Sequence, residues 1–194
     1  MSKINQSYIN SVVKKALEED LKPFGDITTK LITFKDKKTK AKIIAKQSGV
    51  ISGLDFCKAT FKNIGKETIF SKKVNDGSKV KKNEIIATIV AKTETILTAE
   101  RTALNFLSHA SGITSLTNQF VQKVSNRTKI CCTRKTTPNL RMLEKYAVKK
   151  GGGYNHRYNL SDEVMIKDNH IIAEGNLKNL VNKAIKTKKN ITVE

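Results

Sequence analysis

The last third of the chain alternates short apolar runs with amphipathic helical patterns, and this alternation restricts the possible fold more than any other feature. The run KICCT, which we interpret as a buried strand, precedes a helical pattern that begins at Thr137-Pro138 and ends at Gly151. EVMIKD precedes the helical pattern NLKNLVNKAIKT, and NITVE follows as a third strand. Strands that alternate with helices form parallel sheets with right-handed crossovers. The sequence therefore predicts the start of a β/α array.

The first part of the chain follows a different pattern. Residues 6–20 predict a helix, because apolar residues such as Ile9 and Val13 recur on one face. Short alternating runs over residues 39–97, separated by glycine-containing turns, predict a small antiparallel sheet. These patterns indicate an α+β domain that extends to about residue 105.

A long helical pattern joins the two parts. Thr98 is predicted to cap this helix, and Glu100 favours the positive end of its dipole. Its apolar stripe is expected to consist of Leu104, Leu107, Leu116, Phe120 and Val124.

The charge balance favours anionic partners. The chain has 37 Lys and Arg residues against 17 Asp and Glu residues, which gives a formal net charge of +20. Such a surplus suits partners that carry phosphates, carboxylates or nucleic acid. The lysines are scattered beside many Ile and Asn residues, as an AT-rich genome would produce, so many of them are equally well explained as solvated surface charges.

The cysteines and the N-terminus indicate the compartment. Three cysteines, of which Cys131 and Cys132 are adjacent, show neither CxxC nor Cys/His ligand spacing. This argues against a disulfide framework or a zinc site and for a reducing compartment. The N-terminal residues lack the apolar core of a signal peptide, and no apolar run approaches the length of a membrane span. We therefore expect a soluble cytoplasmic protein.

Charged side chains follow each predicted strand of the array. Arg134-Lys135 follow KICCT, Lys167 follows EVMI, and Glu194 ends NITVE. Ligands bind beyond the carboxyl ends of parallel strands, so these side chains are expected at one rim. Guanidinium groups bind carboxylates and phosphates at two points, and lysines add point charge. With His156 and Arg157 nearby, the sequence predicts a site for a small polyanion.

Two further features of this region have more specific interpretations. Glu194 is a natural ligand for Mg²⁺ bound to phosphates, because that ion prefers oxygen donors. The three glycines at 151–153 are either a plain helix stop or a place where the backbone approaches a phosphate, and the sequence leaves both open.

Residues 133–171, TRKTTPNLRMLEKYAVKKGGGYNHRYNLSDEVMIKDNHI, resemble the signature of the quinolinate phosphoribosyltransferase family, also called nicotinate-nucleotide pyrophosphorylase (carboxylating). That signature runs TRKTTPGLR, EKyAV, GGGxNHR, LsD and iKDNHi. The earlier stretches ALEEDLKPFGDITT, GVISGLDF and AERTALNFLSHASGITSLT resemble the family as well. Asn139 stands where the family usually has glycine.

The resemblance implies a fold and an activity. The fold would be of the α/β class, with an N-terminal α/β sandwich domain over residues 1–105 and an incomplete open β/α barrel over residues 106–194. The family transfers phosphoribose from phosphoribosyl pyrophosphate to the nitrogen of quinolinate. It releases pyrophosphate and CO₂, forms nicotinate mononucleotide for NAD biosynthesis, and uses Mg²⁺. The resemblance implies a homodimer in which each site lies between two subunits, with no membrane and no specific nucleic acid as partner.

The resemblance also implies roles for individual residues. Arg101 would reach into the neighbouring subunit's site, His156 would orient quinolinate, and Lys167 would lie near the reacting centre. The implied substrate-binding residues are Arg101, Thr133, Arg134, Lys135, His156, Arg157, Lys167 and Glu194, of which Lys135, Lys167 and Glu194 are catalytic candidates and Glu194 is the magnesium candidate.

Three alternatives accompany this interpretation. The chain is expected to be truncated relative to the family, so it is alternatively an inactive remnant, and we expect little activity and a tendency to aggregate when it is alone. It is alternatively a related pyrophosphorylase that acts on another acid. A basic nucleic-acid-binding protein is the third alternative, although the sequence contains no recognisable nucleic-acid-binding motif.

Overall fold

The computed structural model describes residues 3–32, 34, 37–125, 127–187 and 190–193. Helices and strands alternate irregularly in the first half and more regularly in the second. The helices are α1 (Gln6–Leu21), α2 (Ile27–Lys30), α3 (Leu54–Ile64), α4 (Thr93–Val124), α5 (Arg141–Lys150), α6 (Asp168–Glu174) and α7 (Leu177–Ile185). The strands are β1 (Lys38–Ile44), β2 (Gly49–Val50), β3 (Ile69–Lys72), β4 (Lys79–Val80), β5 (Ile85–Lys92), β6 (Val164–Ile166) and β7 (Ile191–Val193).

The N-terminal half is an antiparallel sheet packed against helices, as predicted. The sheet has the order β1-β5-β3, and β2 pairs with β4. Alternation along β5 places Ala87, Ile89 and Ala91 on the same core as Leu54 and Phe61 of α3. Helix α3 was not predicted, because its apolar start continues the run GVISGLDF. Gly53, with a φ of 95°, turns the chain between β2 and α3.

Helix α4 is longer than predicted and buries a different face. It begins at Thr93, so Thr98 lies inside the helix, where its hydroxyl donates to Asp26 Oδ2 at 3.1 Å. Leu107 is buried, but Leu104, Leu116 and Phe120 are 36%, 55% and 51% exposed. The expected apolar stripe is therefore largely wrong. Small buried residues let neighbouring helices and strands approach α4 instead; these are Ala99, Thr102, Ala103, Ala110, Thr114 and Thr117.

The second half contains the parallel pair that the alternation predicted. Strands β6 and β7 run parallel, with Val164 opposite Ile191. The segment KICCT was predicted to be a buried strand, but it forms one isolated parallel bridge, from Cys131 to Tyr154, and Cys131 is exposed. Pairing through one residue is too short to count as a strand.

Two helices of the second half also differ from prediction. Helix α5 begins at Arg141 rather than at Pro138, because Asn139 adopts a φ of 67° that interrupts the helical backbone. Helix α6 was not predicted; it follows β6 directly. No helix in the described part of the chain is long and apolar enough to cross a membrane.

An acidic side chain joins the two halves. Asp76 Oδ1 accepts a hydrogen bond from the Leu54 N–H at the start of α3, at 3.1 Å, and Oδ2 accepts from the Tyr146 hydroxyl of α5, at 2.8 Å. Burial, followed by the charge of Asp76, raises the pKa of the Tyr146 phenol. Helix α5 is thereby fixed against the N-terminal half, while its Lys145 contacts the segments around Cys132 and His156.

Candidate active site

Two segments that carry predicted site residues lie side by side. Tyr154 N–H donates to Ile130 O at 2.8 Å, and Cys132 N–H donates to Tyr154 O at 2.9 Å. The segments are parallel, so the residues that follow each of them leave the same edge. Thr133, Arg134 and Lys135 follow one segment, and His156 and Arg157 follow the other. The fold thus brings these five predicted residues together.

The Arg134 guanidinium lacks a hydrogen-bond partner on one of its nitrogens. Its Nε is buried and, within the part of the chain that the structure describes, donates to no acceptor. A buried donor without an acceptor costs roughly 1–3 kcal/mol. The backbone around it is ordered by local bonds, because Lys135 N–H donates to Thr133 Oγ1 at 3.0 Å and Thr136 N–H donates to Arg134 O at 2.9 Å. The turn therefore holds a guanidinium that an anion would satisfy.

His156 and Arg157 face the segment that enters β6. His156 Nδ1 lies 3.6 Å from Glu163 Oε2. Arg157 Nη1 donates to Glu163 O at 3.4 Å, and Nη2 lies 3.1 Å from Met165 Sδ. A carbonyl and a thioether are weak partners for a guanidinium, so its charge is not neutralised by these contacts.

Lys167 follows β6, the strand that Arg157 contacts. It is half-buried, and its N–H donates to His170 Nδ1 at 3.0 Å at the start of α6. The contacts thus run continuously from the 131–135 segment through 154–157 to β6, the strand that Lys167 follows.

Arg101 lies elsewhere. It is exposed on α4, where it lines a cavity of about 560 Å³ with Leu104, Leu116 and the segment around Gly49. Its guanidinium makes no hydrogen bond or ion pair with any described residue. The single chain therefore does not bring Arg101 to the cationic edge.

The predicted magnesium ligand, Glu194, lies outside the described residues. Among the described residues, no group of three or more His, Cys, Asp or Glu side chains is placed to hold a metal ion. Mg²⁺ therefore stays a prediction for this chain.

Packing and backbone conformation account for the glycines at 151–153. A Cβ on Gly151 would lie 2.5 Å from Thr114 O, and one on Gly153 would lie 2.8 Å from Thr117 Cγ2. Gly152 has a φ of 89°, which favours glycine. Of the two interpretations that the sequence left open, the helix stop is therefore sufficient, because α5 ends where it meets α4.

Two charged residues of α5 that sequence analysis missed are buried beside the site. Glu144 accepts from Thr137 N–H at 3.2 Å and lies 3.0 Å from His109 Nε2. Lys145 is 1% exposed and donates to Cys132 Sγ and His156 O. Five consecutive residues of α5, from 143 to 147, are buried. Because these five consecutive positions are all buried, burial does not follow the helical period here, and hydrophobic spacing could not have identified this pair.

The protein belongs to the α/β class, with an N-terminal α/β sandwich followed by an incomplete β/α barrel. Its cationic side chains lie at one edge of the barrel part. Solved structures share the architecture. NadC from Streptococcus pyogenes matches with a TM-score of 0.93 and 38% identity, over 100% of this chain and 70% of that one. The nicotinate-nucleotide pyrophosphorylase from Francisella tularensis matches with a TM-score of 0.92 and 36% identity, over 99% and 69% of the two chains.

Sequence comparisons identify the family. The model of the quinolinate phosphoribosyl transferase N-terminal domain matches residues 26–111, and that of the C-terminal domain matches residues 113–194. The chain is 43% identical over 163 residues to the probable nicotinate-nucleotide pyrophosphorylase (carboxylating) of Bacillus subtilis, covering 82% of this chain and 55% of the relative. It is 45% identical over 174 residues to the protein of the same name from Methanocaldococcus jannaschii, covering 88% and 59%.

The chain belongs to the quinolinate phosphoribosyltransferase family. It spans a little over half the length of these two curated relatives.

Proposed function

We propose that this chain carries the quinolinate-binding part of an enzyme that transfers phosphoribose from phosphoribosyl pyrophosphate to quinolinate. The products are nicotinate mononucleotide, pyrophosphate and CO₂. The observation that carries the proposal is the buried Arg134 Nε without an acceptor, at an edge where Lys135, His156 and Arg157 also lie. The family to which the chain belongs supports the choice of substrate over another acid.

Electrostatics is the main task of such a site. Quinolinate is a dianion and phosphoribosyl pyrophosphate is a polyanion, so the two substrates repel each other. Arg134 and Arg157 can each bind a carboxylate or phosphate at two points, which holds both substrates in contact. Lys135 and Lys167 stabilise the charge that grows on the pyrophosphate as the ribosyl carbon becomes cationic.

Decarboxylation follows on the product of the transfer. The ring nitrogen is then quaternised, and its positive charge stabilises the electron pair that CO₂ leaves on the adjacent ring carbon, which then takes up a proton. The chemistry needs no covalent nucleophile, and we assign none. Mg²⁺ would supply charge neutralisation on the pyrophosphate, with Glu194 as the proposed ligand.

We also propose that the working unit is a cytoplasmic homodimer. Arg101 lies on the face of α4 that also carries the exposed Leu104 and Leu116, away from the cationic edge of its own chain. Burying these leucines against a second subunit removes apolar surface from water and carries Arg101 toward the partner's site.

Calorimetric titration with quinolinate tests the proposed function on this chain. We expect saturable binding of quinolinate, and weaker binding of nicotinate, which lacks the second carboxylate. Release of labelled CO₂ from quinolinate, in the presence of phosphoribosyl pyrophosphate and Mg²⁺, measures turnover separately. Absence of both binding and turnover would contradict the proposal.

A further inference from the structure

Lys145 occupies an unusual position for a charged side chain. It lies in the middle of α5 and is 1% exposed. Its Nζ donates to Cys132 Sγ and to His156 O, each at 3.0 Å. Neither acceptor is a carboxylate, and no carboxylate among the described residues forms an ion pair with it. Burying an ammonium group costs several kcal/mol unless its hydrogen bonds are satisfied.

The two acceptors belong to the two segments that form the cationic edge. Cys132 lies two residues before Arg134, and His156 is itself a predicted site residue that precedes Arg157. The backbone bonds between these segments are centred on Tyr154, and Cys132 Sγ lies 3.4 Å from Asn155 Oδ1. Beyond Tyr154, the Lys145 ammonium bridges the two segments through its own hydrogen bonds.

Only a long, flexible donor can make this bridge from a neighbouring helix. A leucine or methionine at position 145 would fill the volume but would leave the His156 carbonyl without this donor. An unsatisfied buried carbonyl tends to reorient toward another donor or water, which would rotate the peptide that joins His156 to Arg157.

We propose that Lys145 is a positioning residue that fixes the distance between the Arg134 segment and the His156–Arg157 segment. It acts through Cys132 and the His156 backbone and touches no substrate. This inference rests on the proposed function for its effect on quinolinate binding, but its effect on the two segments can be measured independently.

The test compares Lys145→Met with Lys149→Met, an exposed position on the same helix, in the full 194-residue chain. Amide hydrogen exchange measures the local effect, and calorimetric titration with quinolinate measures the functional effect. For Lys145→Met we expect about tenfold faster exchange at residues 154–158, the scale of losing a hydrogen bond to a charged donor, with little change in α4. We expect the quinolinate dissociation constant to rise by a similar factor, while Lys149→Met changes neither.

A third variant keeps the test decisive if Lys145→Met does not fold. Cys132→Val removes one acceptor and leaves the ammonium in place, so exchange at 154–158 should rise by a smaller factor. Unchanged exchange at 154–158 in both folded variants overturns the proposal, as does an equal rise throughout the chain, which would indicate a general loss of stability. If the unsubstituted chain binds no quinolinate, the proposed function fails, and the exchange comparison still decides whether Lys145 holds the two segments.

Discussion

At the scale of single residues, Arg134 should separate binding from stability. Its buried Nε has no acceptor among the described residues. Arg134→Met therefore breaks no hydrogen bond of that nitrogen, and methionine replaces the aliphatic part of the arginine side chain. We expect the free energy of unfolding to stay unchanged or to rise by up to about 1–3 kcal/mol, because the substitution removes a buried donor that lacks an acceptor. The dissociation constant for quinolinate should rise by about ten- to a hundredfold, because hydrogen bonds to charged groups contribute roughly 1.5–3 kcal/mol. Urea unfolding and calorimetric titration measure the two effects.

Arg141 is the matched control for this prediction. Its guanidinium donates to Thr136 Oγ1 at 3.0 Å and to Tyr158 O at 3.1 Å. Arg141→Met should therefore lower the free energy of unfolding by about 1–3 kcal/mol. If Arg134→Met destabilises the protein as much as Arg141→Met does, then Arg134 has a structural role, and its missing acceptor does not indicate an anion-binding site.

Cys57 predicts a pH dependence of stability. Burial, with a smaller contribution from the charge of Asp76, raises the pKa of the Cys57 thiol from 9.0 to about 12. The unfolded thiol ionises near pH 9 while the folded thiol stays protonated, so this contribution is complete below pH 9 and is lost as the pH rises toward 12. Between pH 8 and pH 10 the free energy of unfolding should fall by about 1–2 kcal/mol.

Urea unfolding of Cys57→Ala at the same two pH values provides the control. The variant has no thiol at this position, so its free energy of unfolding should fall less over this interval. An identical fall in the variant and the unsubstituted chain would assign the pH dependence to other groups.

At the scale of elements, the contact between α4 and α5 depends on the absence of a side chain. A Cβ on Gly151 would lie 2.5 Å from Thr114 O of α4, whereas one on Gly112 would meet no atom within 4 Å. Gly151→Ala should therefore lower the free energy of unfolding by about 1–3 kcal/mol by forcing the helices apart. Gly112→Ala should raise it by about 0.5–1 kcal/mol, because alanine favours a helix interior.

Thermal or urea unfolding of the two glycine variants checks this difference in sign. Equal and small effects would mean that α5 can move away from α4 at little cost, and the close packing of these helices would then not explain the glycine run.

Sequence patterns predicted elements well where one face is clearly apolar. Helix α1 and the parallel pair of β6 and β7 follow their expected patterns. The patterns failed where small residues form the contact, as in α4, whose core face is built on residues such as Ala103 and Ala110. Counting large apolar residues selected Leu116 instead, which is exposed. The pattern predicted α5 itself but not the burial of Glu144 and Lys145, because five consecutive residues of this helix are buried.

The direction of the chain predicts part of the site, namely which residues leave the sheet at the same edge. The sequence placed Arg134, Lys135, Lys167 and Glu194 at strand ends and His156 only nearby. In the structure, the bridge from Cys131 to Tyr154 holds the segments that precede Arg134 and His156 side by side. Lys145 was not predictable in this way, because its role depends on a side chain that crosses from a helix to two paired segments. The position of Arg101 was not predictable from residue spacing either, because it depends on which face of α4 is exposed.

At the scale of the whole molecule, the exposed face of α4 predicts self-association. Leu116→Lys places a charge beside the cavity that Arg101 and Leu104 line, so it should weaken a dimer while changing the stability of the monomer by less than about 0.5 kcal/mol. Sedimentation velocity at several protein concentrations measures the dissociation constant of the dimer. Ile69→Lys, on the exposed outer face of β3, is the matched control. Equal behaviour of both variants, or a monomeric unsubstituted chain, would contradict the dimer.

The central claim is that residues from separate segments form one cationic site for a small dicarboxylate. Nuclear magnetic resonance tests it most directly, by following the guanidinium Nε–H signals of Arg134 and Arg157 during a titration with quinolinate. The account predicts that both signals shift along one saturation curve with a single dissociation constant, and that Arg134→Met abolishes the shift at Arg157. Independent curves for the two arginines, or a linear drift without saturation, would contradict it.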